Sequence, residues 1–448
     1  MASSFDELLH PLSPMDAVMH SFGFVILYIF PPSTSVSFDL NKLHSSFIAL
    51  VEQDYPILIG ELYVDPSSGI VNVKQSAECR QKGAAGIRFE TNPRNSMTTE
   101  QAIEERSLDL MPGTRGKKEL ICAKGTLLKD GGLAIGINAS HTLFDGEAMF
   151  TFMTVWGQLY NGVKKEERIV VSHARHLLNG SGKEAKMNHP EFRVVQTNGA
   201  TENAQLPTKV PPATSHHLFH FTSKMMKRIK DVATSSRLDG QVAAETPYVS
   251  TVDAITALFT ILISRARDHR QDVNITTGVN ARRRLNPPLP QNYVGNAIFN
   301  AFSTYKNVEL QPQAEDEDFV SPAMLNKVAR CVRDSILQRN NAYLRDAIDF
   351  LTLQNNVAAV QVGTNFVFGP DLMFTSWLHL GMYKADFDGV HPWFACAPRL
   401  PCYDGFVMIT EAQKGGDGID VAVFLESNAM QKLDKMFAEV SYLYNDKV

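Results

Sequence analysis

The stretch Leu133-Ala134-Ile135-Gly136-Ile137-Asn138-Ala139-Ser140-His141-Thr142-Leu143-Phe144-Asp145-Gly146 decides the fold around it. Its first part, Leu133 to Ala139, is mostly apolar and is typical of a buried strand. After Gly146 the apolar residues recur at helical spacing, which predicts a helix with one buried face. These residues are Met149, Phe152, Met153, Trp156, Leu159 and Tyr160. The strand therefore delivers His141 at its end, and a short turn leads into the helix.

Strand-like and helical segments alternate along the rest of the chain. Thr251–Arg267 and the segment from Met324 to about Leu353 carry helical spacing. Between such segments lie short apolar runs that read as strands, namely FGFVILYIF, GLAIGINAS, NITTGV, DGFVMIT and GIDVAVFL. This alternation predicts a mixed α/β fold.

A polar segment between about residues 179 and 214, rich in Gly, Asn and Pro, interrupts the pattern. We therefore expect an N-terminal domain at 1–195, a crossover linker at 196–215 and a C-terminal domain at 216–448. Two domains joined in this way leave a cleft between them, and ligand sites are common in such clefts.

The composition excludes several classes of protein. Of the 448 residues, 44% are hydrophobic and 20% are charged, which excludes a disordered or fibrous chain. The net charge of −5 argues against a protein that mainly binds nucleic acid. The apolar stretch Phe22–Phe30 is too short to span a membrane, which takes roughly 20 residues.

The start of the chain and the cysteines indicate the compartment. Asp6 and Glu7 stand where a signal peptide would carry basic residues. The five cysteines are scattered without a CxxC pair, so we expect free thiols in a reducing environment. The sequence therefore predicts a cytoplasmic protein without a membrane segment.

His141 is the strongest candidate for chemistry. An imidazole with a pKa of about 6.5 is able to accept a proton at neutral pH. A single histidine at the end of a strand is more often structural, so the residues alone leave both interpretations open. Ser140 is a poor nucleophile for it, because neighbours on a strand point to opposite faces. Asp145 is placed to pair with an arginine, and Gly146 fits a turn with unusual backbone angles.

A second candidate region begins at Thr375-Ser376-Trp377. Thr375 and Trp377 lie on one side of an extended chain, so both are able to donate hydrogen bonds to a developing oxyanion. The loop Tyr383–Pro392 follows and by itself reads as structural.

The histidines of the segment HHLFHF raise the question of a metal site. His216, His217 and His220 follow a polar segment, and this arrangement is more typical of the start of a strand. We expect no metal.

Together these segments resemble the BAHD family of acyl-CoA-dependent acyltransferases over nearly the whole chain. His141–Gly146 matches the HxxxDG motif of that family, and Asp386-Phe387-Asp388-Gly389-Val390 is similar to its DFGWG motif. Further segments resemble the family in the right order: Leu12–Asp16, Tyr55-Pro56 with Gly60, Ser250-Thr251, Asn280–Pro290 and Tyr293–Asn296. Asn341–Ala347 and Thr375–Trp377 look closest to the hydroxycinnamoyltransferase branch.

The resemblance implies a two-domain α/β fold like that of chloramphenicol acetyltransferase, with a solvent channel between the domains. It implies that His141 is the general base and that Trp377, with Thr375, stabilises the tetrahedral intermediate. Acyl-CoA is then a co-substrate, and a small-molecule alcohol or amine is the acceptor. No permanently bound cofactor, no metal, no acyl-enzyme and no nucleic-acid partner is implied. We expect a monomer.

The resemblance also assigns structural and binding roles. Asp145 and Asp386 are expected to pair with arginines of the segment Arg282–Arg284, with Arg282 and Arg284 as the candidates, and Gly146 and Gly389 belong to the same structural motifs. Ser250 and Thr251, at the start of a helix, are expected to contact the cofactor, since helix N-termini favour anions.

Three departures from the family matter. Ser140 precedes His141 where many relatives carry another histidine, which should be tolerated. Asp388, Gly389 and Val390 replace the Gly-Trp-Gly of DFGWG, which predicts altered packing more than lost activity. Relatives that use shikimate hold its carboxylate with an arginine shortly before Thr-Ser-Trp, whereas Phe368 stands at the best-matching position here. This predicts a neutral alcohol or an amine as the acceptor.

The sequence therefore predicts an acyltransferase that moves an acyl group from acyl-CoA to a hydroxyl acceptor. Two alternatives stay open: N-acylation of an amine, and a catalytically silent relative that only binds its ligands.

Overall fold

The computed structural model describes residues 7–195, 211–235, 248–312, 318–354, 356–401 and 403–445. Most of the predicted linker, residues 196–210, lies outside these ranges, as does Cys402. The four described cysteines are free.

The described residues form sixteen strands and ten α-helices. The strands are β1 Leu8–Pro11, β2 Gly23–Phe30, β3 Glu61–Val64, β4 Val71–Gln75, β5 Phe89–Asn92, β6 Ile121–Leu127, β7 Leu133–Ser140, β8 Phe192–Val194, β9 Thr214–Phe221, β10 Val273–Asn280, β11 Ile298–Tyr305, β12 Val360–Val362, β13 Leu372–Ser376, β14 Phe394–Cys396, β15 Phe406–Glu411 and β16 Ile419–Glu426. The helices are α1 Pro14–Ala17, α2 Leu40–Asp54, α3 Ala77–Lys82, α4 Thr99–Glu105, α5 Gly146–Tyr160, α6 Ser223–Ser235, α7 Thr251–Arg267, α8 Pro322–Leu337, α9 Asn341–Thr352 and α10 Ser427–Glu439.

The quoted stretch folds as its pattern predicts. β7 ends at Ser140, one residue before the candidate base, and α5 begins at Gly146. Asp145 caps α5, because its carboxylate accepts a hydrogen bond from the amide of Ala148 at 3.0 Å. The buried face of α5 packs on α2, where the Trp156 indole donates a hydrogen bond to Ser46 at 3.0 Å. The turn is therefore anchored on both sides by buried elements.

The predicted helix from Met324 to about Leu353 is wrong in one respect, because it is two helices. α8 ends at Leu337 and α9 begins at Asn341. Between them Asn340 has extended backbone, with φ −85° and ψ 175°, and its side chain accepts a hydrogen bond from the Tyr343 amide at 3.1 Å. This N-cap interaction competes with a continuous helix.

The fold contains two large sheets. The first has five strands in the order β14-β2-β7-β6-β5, and the second has six in the order β11-β10-β13-β15-β16-β9. The remaining strands form two smaller sheets, in the orders β1-β4-β3 and β12-β8. Apolar side chains from both large sheets or their ends belong to one buried cluster, which includes Phe24, Trp377, Met408 and Phe424.

The sheets follow the predicted domain boundaries except at two places. β14, from the C-terminal half, pairs with β2 in the first sheet, and β8, before the linker, pairs with β12. The division into 1–195 and 216–448 stays a prediction. Each half nevertheless contributes a strand to the other, which ties the two halves together along the cleft.

No helix within the described ranges has both the length and the apolar character that crossing a membrane requires.

Candidate active site

One cavity is lined by residues of both large sheets. His141, Thr375 and Trp377 all line it, so the structure brings together the three predicted catalytic side chains. Most of the other lining residues are apolar, among them Met19, Phe22, Phe24, Val25, Ile298, Val362, Phe366, Met373, Leu380, Leu400, Tyr403, Phe406, Met408 and Phe424. The described lining contains no lysine or arginine.

The backbone and the ring of His141 are both held in place. Its amide donates a hydrogen bond to the carbonyl of Phe22 at 3.0 Å. The Nδ1 atom of the ring lies 2.9 Å from the Oδ1 atom of Asn296. Phe24 packs edge-on against the ring at 5.5 Å.

Asn296 determines which ring nitrogen of His141 carries the proton. Its Nδ2 atom donates hydrogen bonds to the carbonyls of His141 at 2.6 Å and Thr142 at 3.1 Å. Because carbonyls only accept, the amide oxygen must face the imidazole, and Nδ1 must donate to it. The unprotonated Nε2 atom of the neutral ring is then the free base.

Asp16 in turn holds Asn296. The buried carboxylate of Asp16 accepts a hydrogen bond from the backbone amide of Asn296 at 2.8 Å and one from the Ser13 hydroxyl at 2.7 Å. Arg175 lies 3.6 Å from the same carboxylate. The sequence singled out the segments of Asp16 and Asn296 only by resemblance, since no local pattern connects residues so far apart in the chain.

Burial lowers the pKa of His141 from its ordinary value of 6.5, and its own carbonyl, Asp145 and the hydrogen bond with Asn296 oppose the shift. The ring is therefore neutral near pH 7, which is the state that accepts a proton.

Asp145 forms the predicted ion pair with Arg282. Both side chains are buried, and the guanidinium nitrogens lie 2.7 and 2.9 Å from the two carboxylate oxygens. Arg282 also donates hydrogen bonds to the carbonyls of Tyr293 at 3.0 Å and Gly295 at 3.2 Å. Although burial opposes the charge of Arg282, the Asp145 carboxylate raises its pKa. This pair joins the turn after β7 to the second half of the chain.

Trp377 packs against the start of α5. Its ring stacks on Phe24 at 5.4 Å and meets Phe150 edge-on at 5.5 Å. A Cβ atom on Gly146 would lie 3.2 Å from the indole ring, which is closer than most side chains tolerate. The expectation that Gly146 has unusual backbone angles is wrong, because it begins α5 and its φ is not positive. Gly146 instead permits the close approach of Trp377.

The expectation that Asp386 pairs with an arginine is wrong. Its carboxylate accepts hydrogen bonds from the side chain of Asn161 at 3.0 Å and the amide of Gly389 at 2.7 Å. Arg284, the other candidate, instead donates to the carbonyls of Ile336 and Arg339 at 3.2 and 3.3 Å. The reason is spatial: the Asp386 loop lies at the far end of α5, away from the arginine segment.

The altered residues of that loop form contacts of their own. Asp388, with φ 55°, binds Lys42 of α2 at 2.6 Å, and Gly389 has φ 79°, which favours glycine. A Cβ atom on Gly157 would lie 2.3 Å from the Asp386 carbonyl, so α5 and the loop are in close contact.

Ser250 and Thr251 lie at the start of α7 and do not line the cavity. The Ser250 amide donates a hydrogen bond to the Asp253 carboxylate at 2.7 Å, and the Ser250 hydroxyl accepts one from the Asp253 amide at 3.2 Å. Arg333 lies 2.5 Å from the same carboxylate. An internal carboxylate thus occupies part of this helix end, and a cofactor contact of Ser250 and Thr251 stays a prediction.

Phe368 is not part of the acceptor side of the cavity, contrary to its expected alignment. Its amide donates a hydrogen bond to Asp404 at 3.1 Å, and its side chain lines a separate cavity beside Arg267. Val362 and Phe366 line the central cavity instead. The sequence missed them because β12 is only three residues long and the segment after it is irregular, so no periodicity shows which side chains face the cavity.

The three histidines of the segment HHLFHF lie on β9, as the strand interpretation predicts. His216 stacks on Phe424 at 4.1 Å, and His220 lies 2.8 Å from Asp420. Within the described part of the chain, no group of His, Cys, Asp and Glu is arranged to hold a metal ion.

Comparisons with known proteins agree with this architecture. The sequence model of the Transferase family matches residues 3–440. A hydroxycinnamoyltransferase of Narcissus pseudonarcissus is 25% identical over 96% of this chain and 94% of its own. A hydroxycinnamoyl-CoA:5-hydroxyanthranilate N-hydroxycinnamoyltransferase of Avena sativa is 26% identical over 72% of this chain and 68% of its own.

Among solved structures, that of F. graminearum TRI101 complexed with ethyl coenzyme A superposes with a TM-score of 0.71. The two chains are 16% identical, and the match covers 97% of this chain and 98% of that one. At that identity the likeness concerns the fold alone, and it confirms the predicted two-domain α/β class.

Proposed function

Because the chain belongs to the Transferase family, the BAHD acyl-CoA-dependent acyltransferases, we propose that it transfers an acyl group from CoA to a hydroxyl acceptor with His141 as general base. One observation carries the proposal. The carbonyls of His141 and Thr142 orient the side-chain amide of Asn296, so the amide oxygen faces Nδ1 of His141. The Nε2 atom of His141 then stays unprotonated at the cavity.

The reaction then proceeds without an acyl-enzyme. Nε2 of His141 takes the proton of the acceptor hydroxyl while the acceptor oxygen attacks the thioester carbonyl carbon. A tetrahedral intermediate forms with its negative charge on the former carbonyl oxygen. Its collapse breaks the carbon–sulfur bond, and the imidazolium returns the proton to the departing CoA thiolate. General base catalysis of this kind contributes about 10²–10⁴-fold.

Trp377 and Thr375 stabilise the intermediate in this proposal. Both line the same cavity as His141, and no described residue hydrogen-bonds the Trp377 indole N–H or the Thr375 hydroxyl. Free donors held by packing are suited to a developing oxyanion, since they need no reorganisation when the charge appears.

The remaining predicted residues hold the site or the co-substrate. Asp145, Gly146 and Arg282 fix the turn that presents His141, and Asp386 and Gly389 fix the far end of α5. Ser250 and Thr251 contact CoA in this proposal. The domains at 1–195 and 216–448 then form the two walls of the channel.

The acceptor is uncharged, because the described cavity lining offers a carboxylate no lysine or arginine. An alcohol is our first choice. An amine is the second candidate, since the similar protein of Avena sativa is named as an N-hydroxycinnamoyltransferase and the same base serves both acceptors. We further propose that the protein acts as a cytoplasmic monomer.

The test is acyl-CoA turnover, followed as free thiol release with a panel of acyl-CoAs and pooled alcohols and amines. His141→Ala is expected to lower kcat by about 10²–10⁴-fold. His379→Asn is the matched control, because His379 is exposed, lies two residues from Trp377 and does not line the cavity. Unchanged turnover in His141→Ala would refute the base assignment. A folded wild-type protein that binds CoA but releases no thiol would indicate that the acceptor is missing from the panel, whereas one that also fails to bind CoA would favour the silent relative.

A further inference from the structure

One row of residues crosses three neighbouring strands beneath the cavity. Asn300 of β11 lies opposite Gly278 of β10 in the antiparallel register. Thr277 pairs with Phe374 of β13, so Gly278 lies beside Thr375. Asn300, Gly278 and Thr375 all line the cavity. The row therefore places two polar side chains on either side of a glycine.

Gly278 leaves a gap between them that the protein itself does not fill. A Cβ atom at this position would have its nearest neighbours at 3.5 Å on Ile298 and 3.7 Å on Thr375, which are ordinary contacts. Packing against other residues therefore does not require glycine here. A glycine inside a strand often marks a site where a ligand approaches the backbone closely.

Asn300 is fixed in the sheet, but its side-chain amide has no partner among the described residues. Its carbonyl accepts a hydrogen bond from Arg339 at 2.9 Å, and the buried Arg339 side chain packs over the ring of Tyr343 at 4.2 Å. No described residue hydrogen-bonds the side-chain amide of Asn300, although it lies on the wall of a largely apolar cavity. Asn300 is only partly buried, so this amide is accessible to a partner in the cavity.

We propose that Asn300, beside the gap at Gly278, binds a second, uncharged polar group of the substrate, such as a hydroxyl or an amide. This inference rests on the proposed function, because it takes the transfer point to lie at His141 and Thr375. The side chain of Asn300 both donates and accepts hydrogen bonds, which suits a hydroxyl. No lysine or arginine in the described lining would balance a charged group.

The spacing of the three strands also sets the distance between Asn300 and Thr375. Neighbouring strands are about 4.8 Å apart, so two strand spacings place Asn300 about 10 Å from Thr375. The polar group would lie at about this distance from the reacting carbon. Two sources have the chemistry: a ring hydroxyl on an aromatic acyl group, or a further hydroxyl on the acceptor.

Matched substrate pairs distinguish the sources. The donor pair is 4-hydroxycinnamoyl-CoA and cinnamoyl-CoA, and the acceptor pair is 4-hydroxybenzyl alcohol and benzyl alcohol. For each pair the equilibrium affinity is measured by tryptophan fluorescence, and kcat/KM is measured where turnover occurs. We expect the wild type to prefer the hydroxylated member of one pair by about 10-fold.

Asn300→Leu keeps the approximate size of the side chain and removes its hydrogen bonds, so we expect it to bring that preference close to 1. Gly278→Ala fills the gap and should weaken both members of the pair. Thr304→Val on the same strand is the control, because Thr304 is exposed and does not line the cavity. We expect it to leave the preference intact.

Three outcomes overturn the proposal: a wild type without preference in either pair, an Asn300→Leu protein with the wild-type preference, or an equal loss for both members in Asn300→Leu. These outcomes differ from failure of the proposed function, which His141→Ala reports separately. An inactive His141→Ala protein together with an unchanged preference in Asn300→Leu would remove only this subsite.

Discussion

The two aspartate-containing turns of the molecule hold opposite ends of the same helix by different means. At the N-terminal end of α5, Asp145 caps the helix and is buried in a two-pronged ion pair with Arg282. At the C-terminal end, Asp386 bonds the neutral side chain of Asn161, and 37% of its own side chain is exposed. One end is therefore held by buried charge and the other by hydrogen bonds near the surface.

The difference follows from what each end has to position. The Asp145 turn presents His141 at a cleft formed by two halves of the chain, and the ion pair with Arg282 joins this turn to the second half. The Asp386 loop needs only to seal the end of α5, where Asn161 and the Gly389 amide satisfy its carboxylate. This explains how the second motif carries Asp388 and Val390 in place of glycines while its backbone stays bound to α5.

The largest expected effect is at the buried end. Asp145→Ala would leave Arg282 charged and buried without its partner, which costs about 3–5 kcal/mol. We expect a loss of that size in the free energy of unfolding in urea, accompanied by a loss of acyl-CoA turnover. A loss below about 1 kcal/mol would show that the buried pair does not hold the turn.

The next effect concerns the base itself. Asn296→Leu removes the acceptor that keeps the proton on Nδ1 of His141. We expect kcat to fall about 10–100-fold, as for a lost hydrogen bond of about 1–3 kcal/mol, with little change in KM for acyl-CoA. Steady-state kinetics check this. A rise in KM at unchanged kcat would indicate a role in binding instead.

The pH dependence of the rate tests whether His141 is the base and whether Asn296 acts on it. A general base works when unprotonated, so the rate should rise with pH through the pKa of His141 and then stay level. Because burial lowers that pKa, we expect the midpoint of the acid limb below pH 6.5. The hydrogen bond with Asn296 raises the pKa, so Asn296→Leu should move the midpoint to still lower pH. A midpoint that does not move would show that Asn296 does not influence the pKa of the base.

The smallest effect is expected at the exposed end. Asp386→Ala removes hydrogen bonds to a neutral side chain and an amide near the surface, which contribute about 1 kcal/mol or less. We expect a decrease of that size in the free energy of unfolding and turnover within about twofold of the wild type. A loss as large as that of Asp145→Ala would show that the two ends are equivalent.

Local patterns were sufficient for the elements that carry the site. The apolar run of β7 and the helical spacing of α5 predicted the strand, the turn and the helix, because these depend on which residues of each element are buried. The break between α8 and α9 escaped the same approach, since the apolar spacing continues across Asn340 and only the cap geometry reveals it.

Contacts between distant residues were predicted only in part. The resemblance named three neighbouring arginines as partners of two aspartates, and the structure places one of them, Arg282, on Asp145. It places none of them on Asp386. Phe368 was assigned to the acceptor side, whereas Val362 and Phe366 line the cavity. Neither spacing nor residue type distinguishes these alternatives.

The sequence by itself determined the alternating α/β elements, the position of His141 at the end of a strand and the family motifs in their order. These depend on short-range periodicity and turn chemistry, which a linear pattern records. Only the tertiary structure decided that Asn296 orients the imidazole, that Arg282 and not Arg284 holds the turn, and that Asn300 and Thr375 flank a gap at Gly278. These contacts arise where residues from different halves of the chain line one cavity. Their geometry is set by strand register and burial, which no local pattern contains.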